Sequence, residues 1–111
     1  MERPLTEWER DVVGRLASLD APGSDVVRES IPHLVVTGMC ECGCASFNVR
    51  DRRFPAQPHR LGHFANGSVA DPRVGFVLWV GPDGRPISID VDNEPGALPD
   101  PESISVSVPG P

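Results

Sequence analysis

The sequence predicts an α+β domain in which two N-terminal helices pack on one face of an antiparallel sheet of about five strands. Two observations support this prediction. Residues 6–30 carry apolar side chains at helical spacing, whereas residues 33–108 carry short alternating or β-branched stretches separated by turn signals. The chain has 111 residues, which is close to the commonest domain size, so we expect residues 1–111 to form a single domain.

The first helix is predicted over residues 6–19 from its start signal and its apolar stripe. Thr6 followed by Glu9 fits a capping box, in which each side chain accepts a hydrogen bond from a backbone N–H that the helix leaves free. The stripe consists of apolar residues three and four positions apart: Leu5, Trp8, Val12, Val13, Leu16 and Leu19. A shorter second helix is predicted to begin at Ser24 and to end before Pro32, because proline disfavours helix in the preceding residue.

Five stretches are predicted to be strands because they alternate or are rich in β-branched residues: 34–37, 46–50, 74–80, 87–92 and 104–108. Residues 74–80 are apolar on both faces, which indicates an interior strand, whereas 104–108 is expected at a sheet edge. Residues 87–92 alternate strictly and predict a strand with one solvent-exposed face. Residues 51–72 are rich in Pro, Arg, Gly and Asn without periodicity, so one long loop is predicted there.

Composition narrows the classes of partner. The formal net charge is −6, which argues against nucleic acid as the main partner because phosphate contacts need a basic surface. No run approaches the roughly 18 to 20 apolar residues of a membrane span, so no membrane association is predicted. The N-terminal residues lack the basic and apolar regions of a secretory signal, so a cytoplasmic location is predicted.

All the cysteines of the chain fall in one short run: Cys40, Cys42 and Cys44. Spaced by two along a straight strand they would span about 13 Å, too far for one ion, but a bend at Gly43 would let the three sulfur atoms converge. A structural zinc ion needs four ligands, and His63 or His59, or else His33, would supply the fourth. The spacing of His59 and His63 fits a metal pair on a helix, although the prolines nearby argue against a helix there.

Two other interpretations of the cysteines remain open. One is redox chemistry, since a thiol close to arginine has a lowered pKa and an adjacent thiol resolves its oxidised form. The carboxylate of Glu41 argues against this, because it raises the pKa of a neighbouring thiol. The other is purely structural, with cysteine used as a small and weakly polar side chain in a tight hairpin.

The remaining motifs do not indicate an enzyme. Asp90, Asp92 and Glu94 are spaced by two, so a strand would present them on one face, either as ligands for a hard cation or as a solvated surface. The sequence contains no phosphate-binding glycine loop, no nucleophile elbow and no dinucleotide fingerprint. No catalytic or cofactor-binding residue is therefore predicted beyond the zinc ligands.

The segment Val36–Phe47, with its C-x-C-G-C-x-S pattern, resembles a group of small bacterial proteins that carry a domain of unknown function. In that group a short helical N-terminus leads into a strand and then into the cysteine segment. The later part of the chain, from Leu78-Trp79-Val80 through Leu98-Pro99-Asp100-Pro101, is also similar. The resemblance implies this organisation and no activity.

Two functions are predicted as alternatives. In the first, a small soluble protein binds a structural zinc ion through its cysteine hairpin, and the metal contributes to folding. In the second, the cysteines are structural and the chain is a non-enzymatic interaction module of regulatory or immunity type. The arginine-rich stretch 50–60 and the acidic C-terminal part 83–111 would then recognise an unidentified protein partner.

Overall fold

The structure is a computed structural model, and it describes residues 2–39, 45–92 and 98–109. These residues include two α-helices, α1 (Glu7–Leu16) and α2 (Ser24–Ser30), together with two 3₁₀ turns at Ile31–His33 and Pro101–Ser103. The strands are β1 (Arg3–Pro4), β2 (Leu34–Met39), β3 (Phe47–Asp51), β4 (Gly62–Ser68), β5 (Gly75–Val80), β6 (Pro86–Asp92) and β7 (Ser105–Ser107).

All seven strands form one antiparallel sheet in the order β1-β2-β3-β6-β5-β4-β7. The α+β prediction is confirmed, but the prediction of about five strands is wrong. The prediction that the two helices lead the chain is also corrected, because β1 precedes them. The two strands that the sequence did not predict are β1 and β4. Strand β1 has no local pattern because it has only two residues, one of which is Pro4. The predicted interior and edge positions are confirmed for β5 and β7 respectively.

The predicted long loop over residues 51–72 contains β4 (Gly62–Ser68). Its glycines, asparagine and alanine have low β propensity, which hid the strand from the sequence pattern. Pairing with β5 on one side and β7 on the other holds the segment extended despite that composition. The irregular connection before β4 therefore covers only residues 52–61.

The start of α1 follows the predicted capping box. The Glu9 backbone N–H donates to Thr6 Oγ1 at 3.1 Å, and the Thr6 backbone N–H donates to Glu9 Oε1 at 2.8 Å. The buried Glu9 carboxylate also accepts two hydrogen bonds from Arg3 in β1, at 2.8 and 2.9 Å. The helix start is thereby fixed to an edge strand of the sheet.

The core lies between the helices and one face of the sheet. Both helices contribute to the same buried cluster as the sheet, with Val12, Val13 and Leu16 from α1, Val27 from α2, and Phe47, Phe76, Leu78, Ile89 and Val91 from the strands. We call the opposite side of the sheet the open face. Among the described segments, neither helix has the length and apolar content that a membrane crossing requires.

Helix α1 also anchors the C-terminal segment. Trp8 Nε1 donates to the Pro99 carbonyl at 2.9 Å, while its ring lies 6.4 Å from the ring of Phe76. Two helical turns further along α1, Arg15 Nε donates to the Ile104 carbonyl at 2.9 Å. These bonds place Ile104 in the core just before β7 begins.

Candidate functional site

A row of residues crosses the open face from β2 to β4. Gly38 pairs with Asn48, Asn48 with Ser88, Ser88 with Trp79, and Trp79 with His63. Directly opposed residues of antiparallel strands share a face, so the side chains of this row are neighbours. At about 4.8 Å between strands, the row is about 19 Å long.

The connection 52–61 runs over this row. Gln57 holds it at one point, since its Nε2 donates to the Arg85 carbonyl at 3.1 Å and its Oε1 accepts from the Asp83 N–H at 3.3 Å. A side chain at Gly81 would collide with Gln57, which shows how closely the connection approaches the turn between β5 and β6. The connection 52–61 therefore covers part of the open face.

Trp79 is the centre of a cluster at the end of this connection. Its ring stacks on His63 at 4.9 Å between centroids, and the Arg60 guanidinium lies 5.0 Å from the ring centroid. Asp90 accepts from Trp79 Nε1 at 2.9 Å and from Arg60 at 2.9 and 3.2 Å. His63 Nε2 is hydrogen-bonded to Asn66 Oδ1 at 2.6 Å. We call these five residues the tryptophan cluster.

A groove of about 530 Å³ lies beside the cluster, between the connection 52–61 and strands β2, β3 and β6. Thr37, Asn48 and Ser88 line its floor, and Arg50 and His59 also line it. Thr37 is the extra residue of a β-bulge, a feature common next to binding sites. The groove thus presents hydroxyl, amide, imidazole and guanidinium groups.

Ser88 is the least expected member of this groove. The alternating pattern predicts a solvent-exposed position, but Ser88 is only 2% exposed because the connection 52–61 covers it. Its hydroxyl is buried and has no hydrogen-bond partner in the described part of the chain. A buried hydroxyl without a partner is uncommon and requires an explanation.

Arg50 holds a carboxylate in the same groove. Its Nε and Nη2 each donate to a different oxygen of Glu2 at 2.8 Å, the parallel two-bond geometry typical of arginine and carboxylate. Its Nη1 donates to the Phe54 carbonyl at 2.6 Å, which fixes the guanidinium plane. The Arg50 side chain is 22% exposed, whereas the Glu2 side chain is 46% exposed.

A second group of ion pairs lies at the end of β3. The Asp51 side chain is 2% exposed and accepts hydrogen bonds from Arg53 Nε and Nη2 at 3.0 and 2.7 Å. Arg85 lies 3.5 Å from the same carboxylate. Burial alone would raise the pKa of the Asp51 carboxyl, but hydrogen bonds from Arg53 and the charges of Arg53 and His33 lower it from 3.8 to about 2.

This network uses the arginines of the predicted recognition stretch 50–60 within the fold. Arg50, Arg53 and Arg60 are each paired with a carboxylate. Arg52 is exposed, and its backbone N–H donates to the His33 carbonyl at 2.9 Å. A partner that bound Arg50, Arg53 or Arg60 through its charge would therefore have to compete with an internal ion pair.

The predicted zinc ligands are distributed unevenly. Cys40, Cys42 and Cys44 lie outside the described residues, as does Glu94, but the strands on either side of the cysteine run pair as predicted. His59 lines the groove, and His63 lies in β4, so their helical spacing is not realised. Within residues 2–39, 45–92 and 98–109 no group of three His, Cys, Asp or Glu side chains is placed to hold a metal ion.

Neither the tryptophan cluster nor the groove has a local signal in the sequence. Trp79 and His63 are 16 positions apart and meet only through the pairing of β4 with β5, a strand the pattern concealed. Asn48 and Ser88 meet only through the pairing of β3 with β6.

No protein-family model, curated protein or solved structure matches this chain.

Proposed function

We propose that this protein is a non-enzymatic binding module that recognises a protein partner through the open face of its sheet. The tryptophan cluster is the observation that supports this proposal. Tryptophan and arginine are enriched among the residues that dominate interface energies, and here both lie on the face opposite the helices. Beside them Leu61 is 66% exposed, which adds apolar surface at the end of the connection.

The cluster is also held in one arrangement before any partner binds. Asp90 fixes both Trp79 and Arg60, and Asn66 fixes His63. Side chains that are already ordered lose less conformational entropy on binding, so more of the contact energy contributes to affinity. The arrangement is therefore suited to a surface that recognises a partner as a rigid unit.

Reversing one charge in this cluster tests the proposal. We expect Arg60→Glu to weaken binding of a purified partner by about 30-fold or more, as for a central interface residue. It removes a cation from the surface and places a carboxylate against Asp90. The partner is first identified by affinity capture and mass spectrometry, and the dissociation constant is then measured by isothermal titration calorimetry.

Arg10→Glu is the matched control, because Arg10 is exposed on α1 and has no ion pair among the described residues. Both variants are first compared with the parent by circular dichroism, so that loss of folding is separated from loss of binding. Equal affinities for the parent and Arg60→Glu would contradict recognition through the open face.

A structural zinc ion at the cysteine hairpin is a second candidate function. Met39 and Phe47 are paired across β2 and β3, so the cysteine run connects two neighbouring strands. Of His59 and His63, the two histidines placed first as the fourth ligand, the described geometry favours His59, which lines a groove shared with β2 and β3. His63 lies on β4 and is engaged with Trp79.

Elemental analysis of protein purified without chelator tests this second candidate. We expect about one zinc ion per chain and three thiols that react only after chelation. Replacing Cys40, Cys42 and Cys44 together with serine should remove the metal and lower the thermal midpoint. His59→Ala should weaken zinc binding more than His63→Ala does. Three freely reacting thiols without metal would contradict the proposal.

A further inference from the structure

We propose that the groove under the connection 52–61 is a binding site for a small hydroxycarboxylate, and that Glu2 occupies part of it when the ligand is absent. The ligand carboxylate would bind Arg50 in place of Glu2, and its hydroxyl groups would bind Ser88 and Asn48. Arg60 lines this groove and also belongs to the tryptophan cluster, but the contacts proposed here use Arg50, Ser88 and Asn48, so the proposal does not rest on the proposed protein partner.

The dimensions of the groove favour a small molecule. Its volume of about 530 Å³ falls within the range typical of small-ligand sites, about 300–1,000 Å³. A further space of about 250 Å³ adjoins it and is also lined by Asn48 and Arg60. The roof of the groove is the connection 52–61 and its floor is the sheet, so a ligand would be enclosed on two sides.

Glu2 shows that the groove accepts a carboxylate. Its two oxygens lie 2.8 Å from Arg50 Nε and Nη2, and the remaining nitrogen, Nη1, donates to the Phe54 carbonyl. The carboxylate belongs to a half-exposed residue, and half-exposed ion pairs contribute little to stability. An incoming carboxylate can therefore replace it on a preorganised arginine.

Ser88 indicates what the rest of the ligand contains. Its hydroxyl is buried in the groove without a partner among the described residues, although it could both donate and accept a hydrogen bond. Asn48 lies directly across the β3–β6 pair, is exposed and lines the same groove. A ligand hydroxyl between them would satisfy the buried serine.

The charges in the groove set the number of ligand carboxylates. Arg50 becomes available when Glu2 leaves, whereas Arg60 remains paired with Asp90, which is part of the tryptophan cluster. His59 is exposed and lines the groove. One carboxylate together with several hydroxyl groups therefore matches the groove better than a multiply charged anion.

An NMR titration of the ¹⁵N-labelled full chain tests the site with lactate, malate and gluconate as probes. We expect saturable shifts of the Ser88 amide, the Asn48 side-chain amide and Arg50 Nε with at least one probe. Sorbitol, which lacks the carboxylate, and hexanoate, which lacks the hydroxyl groups, should bind at least about tenfold more weakly. A sodium chloride titration controls for ionic strength.

Three variants separate a binding site from a structural group. Glu2→Gln removes the internal competitor and should tighten binding, whereas Arg50→Gln should abolish it. Ser88→Ala should weaken binding about tenfold without lowering the thermal midpoint, because it removes a buried hydroxyl that has no partner. Arg73→Gln, in an exposed ion pair with Asp71, is the control and should bind as the parent does.

The proposal is overturned if no probe gives saturable shifts, or if sodium chloride reproduces them. It is also overturned if Glu2→Gln binds no more tightly than the parent, because Glu2 would then not occupy the ligand position. Since no probe is a protein, these outcomes leave the test with Arg60→Glu unaffected.

Discussion

Replacing Asp51 with asparagine is expected to lower the free energy of unfolding by about 3 kcal/mol at neutral pH, as for the loss of one partner from a buried ion pair. The Asp51 side chain is 2% exposed and binds Arg53 at 2.7 and 3.0 Å, with Arg85 at 3.5 Å. Asparagine keeps the shape but removes the buried counter-charge of these two guanidinium groups, which then retain only the more exposed carboxylates of Glu29 and Asp83. The Phe54 ring, 4.0 Å from the Arg85 guanidinium, would lose a fixed neighbour.

The same residue makes stability depend on acid. The pKa of Asp51 is about 2 in the folded protein, below the value of about 3.9 for an unfolded chain. Its contribution is therefore complete above about pH 4 and is lost as the pH falls towards 2. Asp51→Asn should be less stable than the parent at pH 7, and the difference should shrink as the pH falls through this window.

Urea denaturation followed by circular dichroism at pH 7 and at steps from pH 5 to 2 measures both effects. Asp71→Asn is the matched control, because hydrogen bonds from Arg73 also lower the pKa of Asp71 to about 2. The Asp71 side chain is 39% exposed, so solvent screens its pair and the substitution should change stability little. Equal losses in the two variants would show that burial of Asp51 does not determine its contribution.

Replacing Gly67 with alanine is expected to lower the free energy of unfolding by about 2 kcal/mol, as for an overpacked core. The added Cβ would lie 2.8 Å from Ile104 Cγ2, 2.9 Å from Leu16 Cδ2 and 3.1 Å from Phe76 Cβ. These three atoms belong to α1, β5 and the segment before β7, and their residues are fully or almost fully buried. Relief of the contact therefore requires a shift of more than one element.

Gly14→Ala is the control with the opposite expected sign. Gly14 is exposed inside α1, and a Cβ there would have no heavy atom within 4 Å. Alanine should raise the free energy of unfolding by about 0.5–1 kcal/mol through helix propensity. Urea unfolding curves with a common slope test both variants. A stable Gly67→Ala protein would show that α1 can move away from the sheet without loss of packing.

The elements that the sequence predicted correctly are those with local signals. Thr6 and Glu9 lie three positions apart and form the capping box within a single helical turn. The apolar alternation of residues 87–92 identified β6 without knowledge of its neighbours. Such patterns depend on the residues of one element alone, so they can be read directly from the chain.

What was missed depends on contacts between distant parts of the chain. Strand β4 contains Gly62 and Gly67, whose presence argues against a strand, and it forms because β5 and β7 flank it. The exposure predicted for Ser88 was wrong because residues 52–61 pass over it. The contact of Asp51 with Arg85 joins the end of β3 to the turn between β5 and β6. No spacing within the sequence reports these arrangements.

Among the described residues the sheet consists of two groups of strands, β1-β2-β3 and β6-β5-β4-β7, which are joined where β3 pairs with β6. That seam has two paired positions, Phe47 with Ile89 and Asn48 with Ser88, and the Ser46 hydroxyl extends it by bonding the backbone N–H and carbonyl of Val91. It joins residues roughly forty positions apart, about as far as the pairs of β4 with β7, so both pairings carry a larger entropic cost than the hairpins of the sheet and are expected late in folding. A molecule bound across Asn48 and Ser88 would favour the closed seam, and would slow the opening of the native sheet as well as occupy its surface.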